Sequence, residues 1–162
     1  MIILGIDPGF SFTGFAVAKK EGATIQLLEY GDIRLPVSKG LPDRVGIFFD
    51  TLTEKIIRLG VTDLALETPF LGKNAQNFLK LGYLRGVLYL LATQHSLTLH
   101  EFSPKEVKQA VTGFGGASKD QVARVILQLF PRMQMPNKLD VTDAVAVTLC
   151  GVWRNRRLMV AR

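Results

Sequence analysis

The stretch Met1-Ile-Ile-Leu-Gly-Ile-Asp7-Pro-Gly-Phe-Ser-Phe-Thr13-Gly14 decides the fold. Five of its first six side chains are apolar, and the run closes on an aspartate followed by Pro8-Gly9. An uninterrupted apolar run ended by turn residues reads as a strand buried on both faces, the kind found in α/β sheets. Asp7 then stands at the carboxyl end of a core strand, where a carboxylate is costly without compensation. Two accounts are open at this point: a turn former before Pro-Gly, or one member of a group of converging carboxylates.

Working outward, Thr13–Ala18 reads as a second strand, Lys19–Gly22 as a turn and Thr24–Tyr30 as a third strand, an antiparallel meander. Residues 31–40 read as a connector. Val45, Phe48, Phe49, Leu52, Ile56 and Leu59 recur at helical spacing between Pro42 and Gly60, which predicts a helix over 42–59. Thr62-Asp-Leu-Ala-Leu-Glu67-Thr-Pro69 repeats the opening pattern: a short apolar strand that ends in a carboxylate. Parallel strands joined by a helix bring their carboxyl ends to one sheet edge, where α/β sites are built. Glu67 is therefore expected near Asp7.

Asn74–Gln94 is expected to be the longest helix, apolar on more than one face, with Gly82 and Gly86 four residues apart. A central position in the domain or a homodimer interface would each account for it. Leu97–Phe102 reads as the last strand. Ser103-Pro-Lys-Glu106 and Ser118-Lys-Asp-Gln121 are capping boxes that open two short helices. Lys105 and Lys119 lie in first turns, against the helix dipole. A docked anion or plain solvation would explain them equally. Asp140 and Asp143, three apart, share one face at the start of a final helix, and Asp143 leads directly into Ala-Val-Ala-Val. The segment 153–162 is basic and is expected to be a flexible tail to a single domain over 1–152.

The 162 residues suffice for one domain with a real core. No apolar run approaches a membrane span and no leader pattern precedes the first strand, so a cytoplasmic protein without membrane association is expected. Cys150 is the only cysteine, which excludes an internal disulfide and a cysteine-based zinc site. The two histidines, His95 and His100, are not spaced as a metal pair and are expected on the surface. The net charge of +6 and pI near 9.7 suit a polyanionic partner.

Asp7, Glu67, Asp140 and Asp143 thus come from two strand ends and one helix start. Brought together they would repel, and some would hold protons unless cations intervened. Hard divalent ions with oxygen ligands relieve that repulsion. Magnesium is the natural choice, and two such ions can clamp the attacking and leaving oxygens of a displacement at phosphorus.

Beyond the chemistry, Ile6-Asp7-Pro-Gly-x-x-x-Thr13-Gly14, Leu66-Glu67-x-x-Phe70, Lys73-Asn74-Ala, Leu79-Lys-Leu-Gly82-x-x-Arg85-Gly86, Val107-Lys108-Gln, Thr112-Gly-x-Gly115, Lys119-x-Gln-Val122 and Asp140-x-x-Asp143-Ala-x-Ala occur in order. This set resembles the RuvC family of crossover junction endodeoxyribonucleases from residue 2 to about residue 150. The resemblance implies a ribonuclease-H-like fold: an α/β single domain with a mixed central sheet and helices on both faces. It implies a homodimer that resolves four-way (Holliday) DNA junctions, in recombination and repair, by symmetric nicks in two strands of like polarity. It further implies two magnesium ions per subunit, with manganese able to substitute, held by Asp7, Glu67, Asp140 and Asp143, with Asp7 bridging both. Lys108 and Lys119 would contact phosphates near the cut, and Phe70 would stack or wedge at the junction centre. Lys73 and Asn74 would add DNA contacts. The dimer interface would be the Asn74–Gln94 helix with Gly82 and Gly86, and a branch-migration motor would be a partner.

The chain departs from the family's pattern at Thr68-Pro69, at Val141-Thr142, and at Phe10 and Phe12 around Ser11. These positions bear on loop shape and sequence preference rather than on the four acids. Gly5-Ile-Asp-x-Gly-x-x-x-Thr-Gly14 also resembles the phosphate-1 loop of actin, Hsp70 and sugar-kinase ATPases, which need two such domains. A hybrid-cleaving RNase H and a catalytically silent junction-binding module are the other competing readings.

Overall fold

The computed structural model describes residues 1–68, 75–134 and 139–160, with residues 155–160 described by backbone alone. Ten elements follow one another: β1 (Ile2–Asp7), β2 (Phe12–Glu21), β3 (Thr24–Arg34), α1 (Leu41–Leu59), β4 (Asp63–Glu67), α2 (Ala75–Gln94), β5 (Thr98–Phe102), α3 (Pro104–Thr112), α4 (Lys119–Leu129) and α5 (Leu139–Val160). The strands form one sheet in the order β3-β2-β1-β4-β5. β1 runs antiparallel to β2 and parallel to β4, and β4 runs parallel to β5, so the sheet is mixed as expected.

Side-chain alternation sorts the sheet into two faces. Leu4, Ile6, Val17, Leu64 and Leu66 pack with Phe48, Leu52 and Ile56 of α1 and with Leu84, Leu88 and Leu91 of α2. Ile3, Ala16, Ala18 and Ala65 face α3, α4 and α5. Small residues on that second face let α5 lie close. A Cβ on Gly5 would stand 2.1 Å from the Thr148 hydroxyl, and one on Gly151 would stand 2.3 Å from Ile3. The apolar run Val141–Val147 of α5 is buried there apart from the half-buried Asp143.

Both strand-final acids have the parity of this α5 face. Asp7 follows Ile3 and Gly5 at steps of two, and Glu67 follows Ala65. The last parallel pair is Ile6 with Leu66, so Asp7 and Glu67 lie one residue beyond it on adjacent strands.

α5, with 22 residues, and not α2, with 20, is the longest helix among the described residues, and three expectations about the strands and histidines change. The second strand does not stop at Ala18 but continues through Lys19 and Lys20 to Glu21, with the turn at Gly22 (φ +56°). The third continues to Arg34, because Phe12–Phe15 pair with Gly31–Arg34 rather than leaving them as connector. Charged residues do not end strands in a solvent-facing antiparallel ribbon, and Gly31 makes room for the Phe15 ring. Third, His100 is not a surface residue: it is 8% exposed, and its Nε2 lies 2.8 Å from Asp63 Oδ1 across β4 and β5. Both capping boxes form as read, with Ser103 and Ser118 accepting from the Glu106 and Gln121 backbones.

Candidate metal centre

Three segments converge at the carboxyl edge of β1. Asp7 pairs with Gly14 across the β1–β2 ladder, and a Cβ on Gly14 would lie 2.0 Å from the Asp140 carbonyl oxygen. The first turn of α5 therefore rests on the strand immediately beside Asp7. Asp143, one turn further on, comes within reach of the same point. Asp7, Asp140 and Asp143 each offer a carboxylate oxygen, and these oxygens lie within 4.8 Å of one another.

Glu67 borders the same place without joining that triple. It lines a cavity of about 200 Å³ with Asp7, Asp143, Lys108, Lys119, Val107 and Val122. Its lining combines apolar side chains with carboxylates and with the lysines of α3 and α4.

The electrostatics reflect this crowding. Burial first, then the charges of Asp143, Asp140 and Glu67, push the Asp7 carboxyl up to about 7, while Lys119 pulls the other way. Glu67 is also raised, by burial and then Asp143, against the pull of Lys119 and Lys108. Lys119 donates to Asp143 and forms an ion pair with it. Partial burial works against its charge. The bond to Asp143 and the fields of Asp143, Asp7 and Asp140 outweigh that, holding the ammonium above the ordinary lysine range. Lys119 thus supplies the one cation hydrogen-bonded to these acids among the described residues. Lys105 packs against Gly115 and is not among the cavity-lining residues.

The donor set suits a hard divalent ion. It offers carboxylate oxygens only, in a partly buried recess, with surplus negative charge that raises proton affinity. An ion bound by Asp7, Asp140 and Asp143 would relieve that surplus. Phe70, Lys73 and Asn74 lie outside the described residues.

Several polar contacts were not legible in the sequence. Arg85 is buried within α2 and donates to the Glu67 carbonyl at 2.6 Å. A charged residue between Leu84 and Val87 in a helix apolar on most sides was a usable signal. Arg44 stacks on Phe10, its guanidinium carbon 4.0 Å from the ring centroid, and Lys80 approaches the same ring at 5.9 Å. No sequence pattern links those three segments.

The chain is similar to known proteins along nearly its whole length. The family model for crossover junction endodeoxyribonuclease RuvC matches residues 3–151. The crossover junction endodeoxyribonuclease RuvC of Pelodictyon phaeoclathratiforme is 42% identical over 154 residues, 95% of this chain and 81% of its own. That of Chloroherpeton thalassium is 41% identical over 155 residues, 96% of this chain and 83% of its own. Among solved structures, T. thermophilus RuvC in complex with Holliday junction substrate superposes with a TM-score of 0.89 at 26% identity. That match covers 97% of this chain and 96% of the other. The yeast mitochondrial Holliday junction resolvase Ydc2, at 17% identity and a TM-score of 0.72 over 99% of this chain and 81% of its own, shares the fold. With the ribonuclease-H-like sheet, the converging acids and this likeness over nearly the whole length in agreement, the chain belongs to the RuvC family of crossover junction endodeoxyribonucleases.

Proposed function

We infer that this crossover junction endodeoxyribonuclease resolves Holliday junctions as a homodimer, nicking two strands of like polarity symmetrically with two magnesium ions per subunit. The observation that carries the reading is the convergence of carboxylate oxygens of Asp7, Asp140 and Asp143 within 4.8 Å, beside a cavity lined by Asp7, Asp143, Glu67, Lys108 and Lys119. Asp7, Glu67, Asp140 and Asp143 are the metal ligands in this reading. Asp7, which feels the charges of the other three, would be held in common by both ions. Bound divalent ions would stabilise charge on the attacking and leaving oxygens at phosphorus, and manganese would serve in place of magnesium. Lys108 and Lys119 hold the strand by its phosphates. Lys119 exchanges its Asp143 partner for a phosphate when DNA and metal are present. Phe70, Lys73 and Asn74 add contacts to the junction.

The dimer forms through α2. Gly82 and Gly86 have nothing within 4 Å of a would-be Cβ, and Leu79, Tyr83 and Leu90 are exposed alongside them. A two-fold assembly suits a substrate with two strands to cut. Residues 1–152 act as the nuclease domain and 153–162 as a basic extension. The protein works in the cytoplasm beside a branch-migration motor. No helix among the described residues is long and apolar enough to cross a membrane.

The test is cleavage by the purified protein with magnesium of a synthetic four-way junction, a linear duplex and an RNA–DNA hybrid. Paired nicks in the junction alone are expected. Cleavage of the hybrid instead would favour an RNase H, and junction binding without any cleavage would favour a silent binding module.

A further inference from the structure

Arg85 is 6% exposed near the middle of α2, where an unpaired guanidinium would be costly. It is paired three ways. Nη1 donates to the Glu67 backbone carbonyl at 2.6 Å. Nη2 donates to the Tyr89 hydroxyl at 3.0 Å and to the Glu101 carboxylate. The Tyr89 hydroxyl donates in turn to the same Glu101 oxygen at 2.9 Å, closing a ring of three side chains.

Holding α2 against β5 would need only the Arg85–Glu101 pair. The bond to Glu67 does something else. The peptide unit between Glu67 and Thr68 is fixed at both polar ends, its carbonyl by Arg85 and its N–H by the Phe102 carbonyl at 2.7 Å. β4 ends at Glu67, so no further strand residue sets the direction in which this side chain leaves the backbone. A charge-assisted bond from a buried guanidinium is a strong constraint at that point.

We propose that Arg85 is a positioning residue of the cleavage site, which sets the Glu67 carboxylate toward the metal through its bond to the Glu67 carbonyl. Tyr89 and Glu101 are the clamp that keeps the guanidinium there. The proposal rests on the reading above in which Glu67 is a metal ligand. Arg85→Lys keeps the charge but loses the planar fork whose one end bonds the Glu67 carbonyl and the other Tyr89 and Glu101.

The test is Mn²⁺ binding by calorimetry on the full chain without DNA, for wild type, Arg85→Lys, Glu67→Gln and the double variant, with thermal melting measured alongside. Residues that orient a metal ligand typically change affinity by roughly tenfold or more. Arg85→Lys is expected to weaken Mn²⁺ binding by about that factor, and in the Glu67→Gln background the same change is expected to do nothing further. Tyr89→Phe removes one hydroxyl and nothing else, and is expected to weaken Mn²⁺ binding in the same direction by less. It serves as the readout if Arg85→Lys does not fold. Melting shifts with unchanged Mn²⁺ affinity would overturn the proposal, as would a weakening that persists undiminished without the Glu67 carboxylate. If Glu67→Gln itself binds Mn²⁺ as tightly as wild type, the ligand role of Glu67 is wrong and the positioning role falls with it.

Discussion

The Asp140 carbonyl oxygen occupies the space that a Cβ on Gly14 would need, 2.0 Å from where that atom would stand. This contact lets α5 begin beside Asp7 rather than a side chain's width away. Gly14→Ala must push the first turn of α5 outward, carrying Asp140 and Asp143 with it. Overpacking of this kind costs about 1–3 kcal/mol, but the larger loss is expected in the site. Calorimetry should show Mn²⁺ affinity falling far more than the melting temperature suggests. Metal binding equal to wild type would show that the α5 contact does not set the carboxylate geometry.

Without metal, Asp7 should make the fold less stable as the solution becomes more alkaline. Its carboxyl, ordinarily near 3.8, is raised to about 7 by burial and the neighbouring acids. A raised carboxyl pKa means that the folded state holds the proton more tightly. The stability it contributes is fully present below pH 3.8 and is lost as the pH rises to about 7. In chelator, Asp7→Asn should therefore melt higher than wild type at pH 8, with the difference shrinking toward pH 4. Magnesium at pH 8 should raise the wild-type melting temperature more than that of the variant. A variant less stable than wild type at pH 8 in chelator would contradict the electrostatic account of the site.

Lys119 is bound to Asp143 here yet proposed to serve DNA, and the two roles separate under substitution. Lys119→Gln removes a cation that competes with metal for Asp143. Mn²⁺ affinity in the absence of DNA should hold or improve. Junction affinity should fall, and the slope of log binding constant against log salt should lessen by about 1. Weaker metal binding with an unchanged salt slope would make Lys119 a structural partner of Asp143 only.

The exposed glycines of α2 give a test of the dimer with opposite expectations for its two states. An isolated helix gains by replacing glycine with alanine, by about 1 kcal/mol per site, and Gly82 and Gly86 have room for a Cβ within one chain. If two copies of α2 meet at these positions, the double change to alanine should weaken the dimer in sedimentation analysis. Unchanged self-association with a higher melting temperature would move the interface elsewhere.

Much of this architecture was legible in the chain because its signals are local. Apolar runs closed by Asp7 and Glu67 marked two parallel strands, the Ser103 and Ser118 boxes marked helix starts, and Asp140 with Asp143 shared a face by spacing alone. What stayed hidden depended on partners distant in sequence. The ribbon from Phe12 to Arg34 is longer than its apolar cores, because pairing across the ladder, not hydrophobicity, holds Lys19 and Asp32 in strand. His100 reads as a surface residue in the chain but bonds to Asp63, which lies diagonally from it on the neighbouring strand, and Arg85, legible only as part of a family pattern, bonds to Glu67 and Glu101. Glu67 was expected among the clustered acids. It lines the same cavity as Asp7 and Asp143 but stands outside the group of three whose carboxylate oxygens lie within 4.8 Å of one another, and it feels the repulsion of Asp143.

The most direct measurement of the central claim is the behaviour of Asp7→Asn on a synthetic four-way junction with magnesium. Removing the charge of this proposed metal ligand should abolish paired nicking while junction binding, carried by the basic surface, stays within about threefold of wild type. Nicking by Asp7→Asn at the wild-type rate would contradict the account, because the acidic cluster at the end of β1 would then have no part in the reaction.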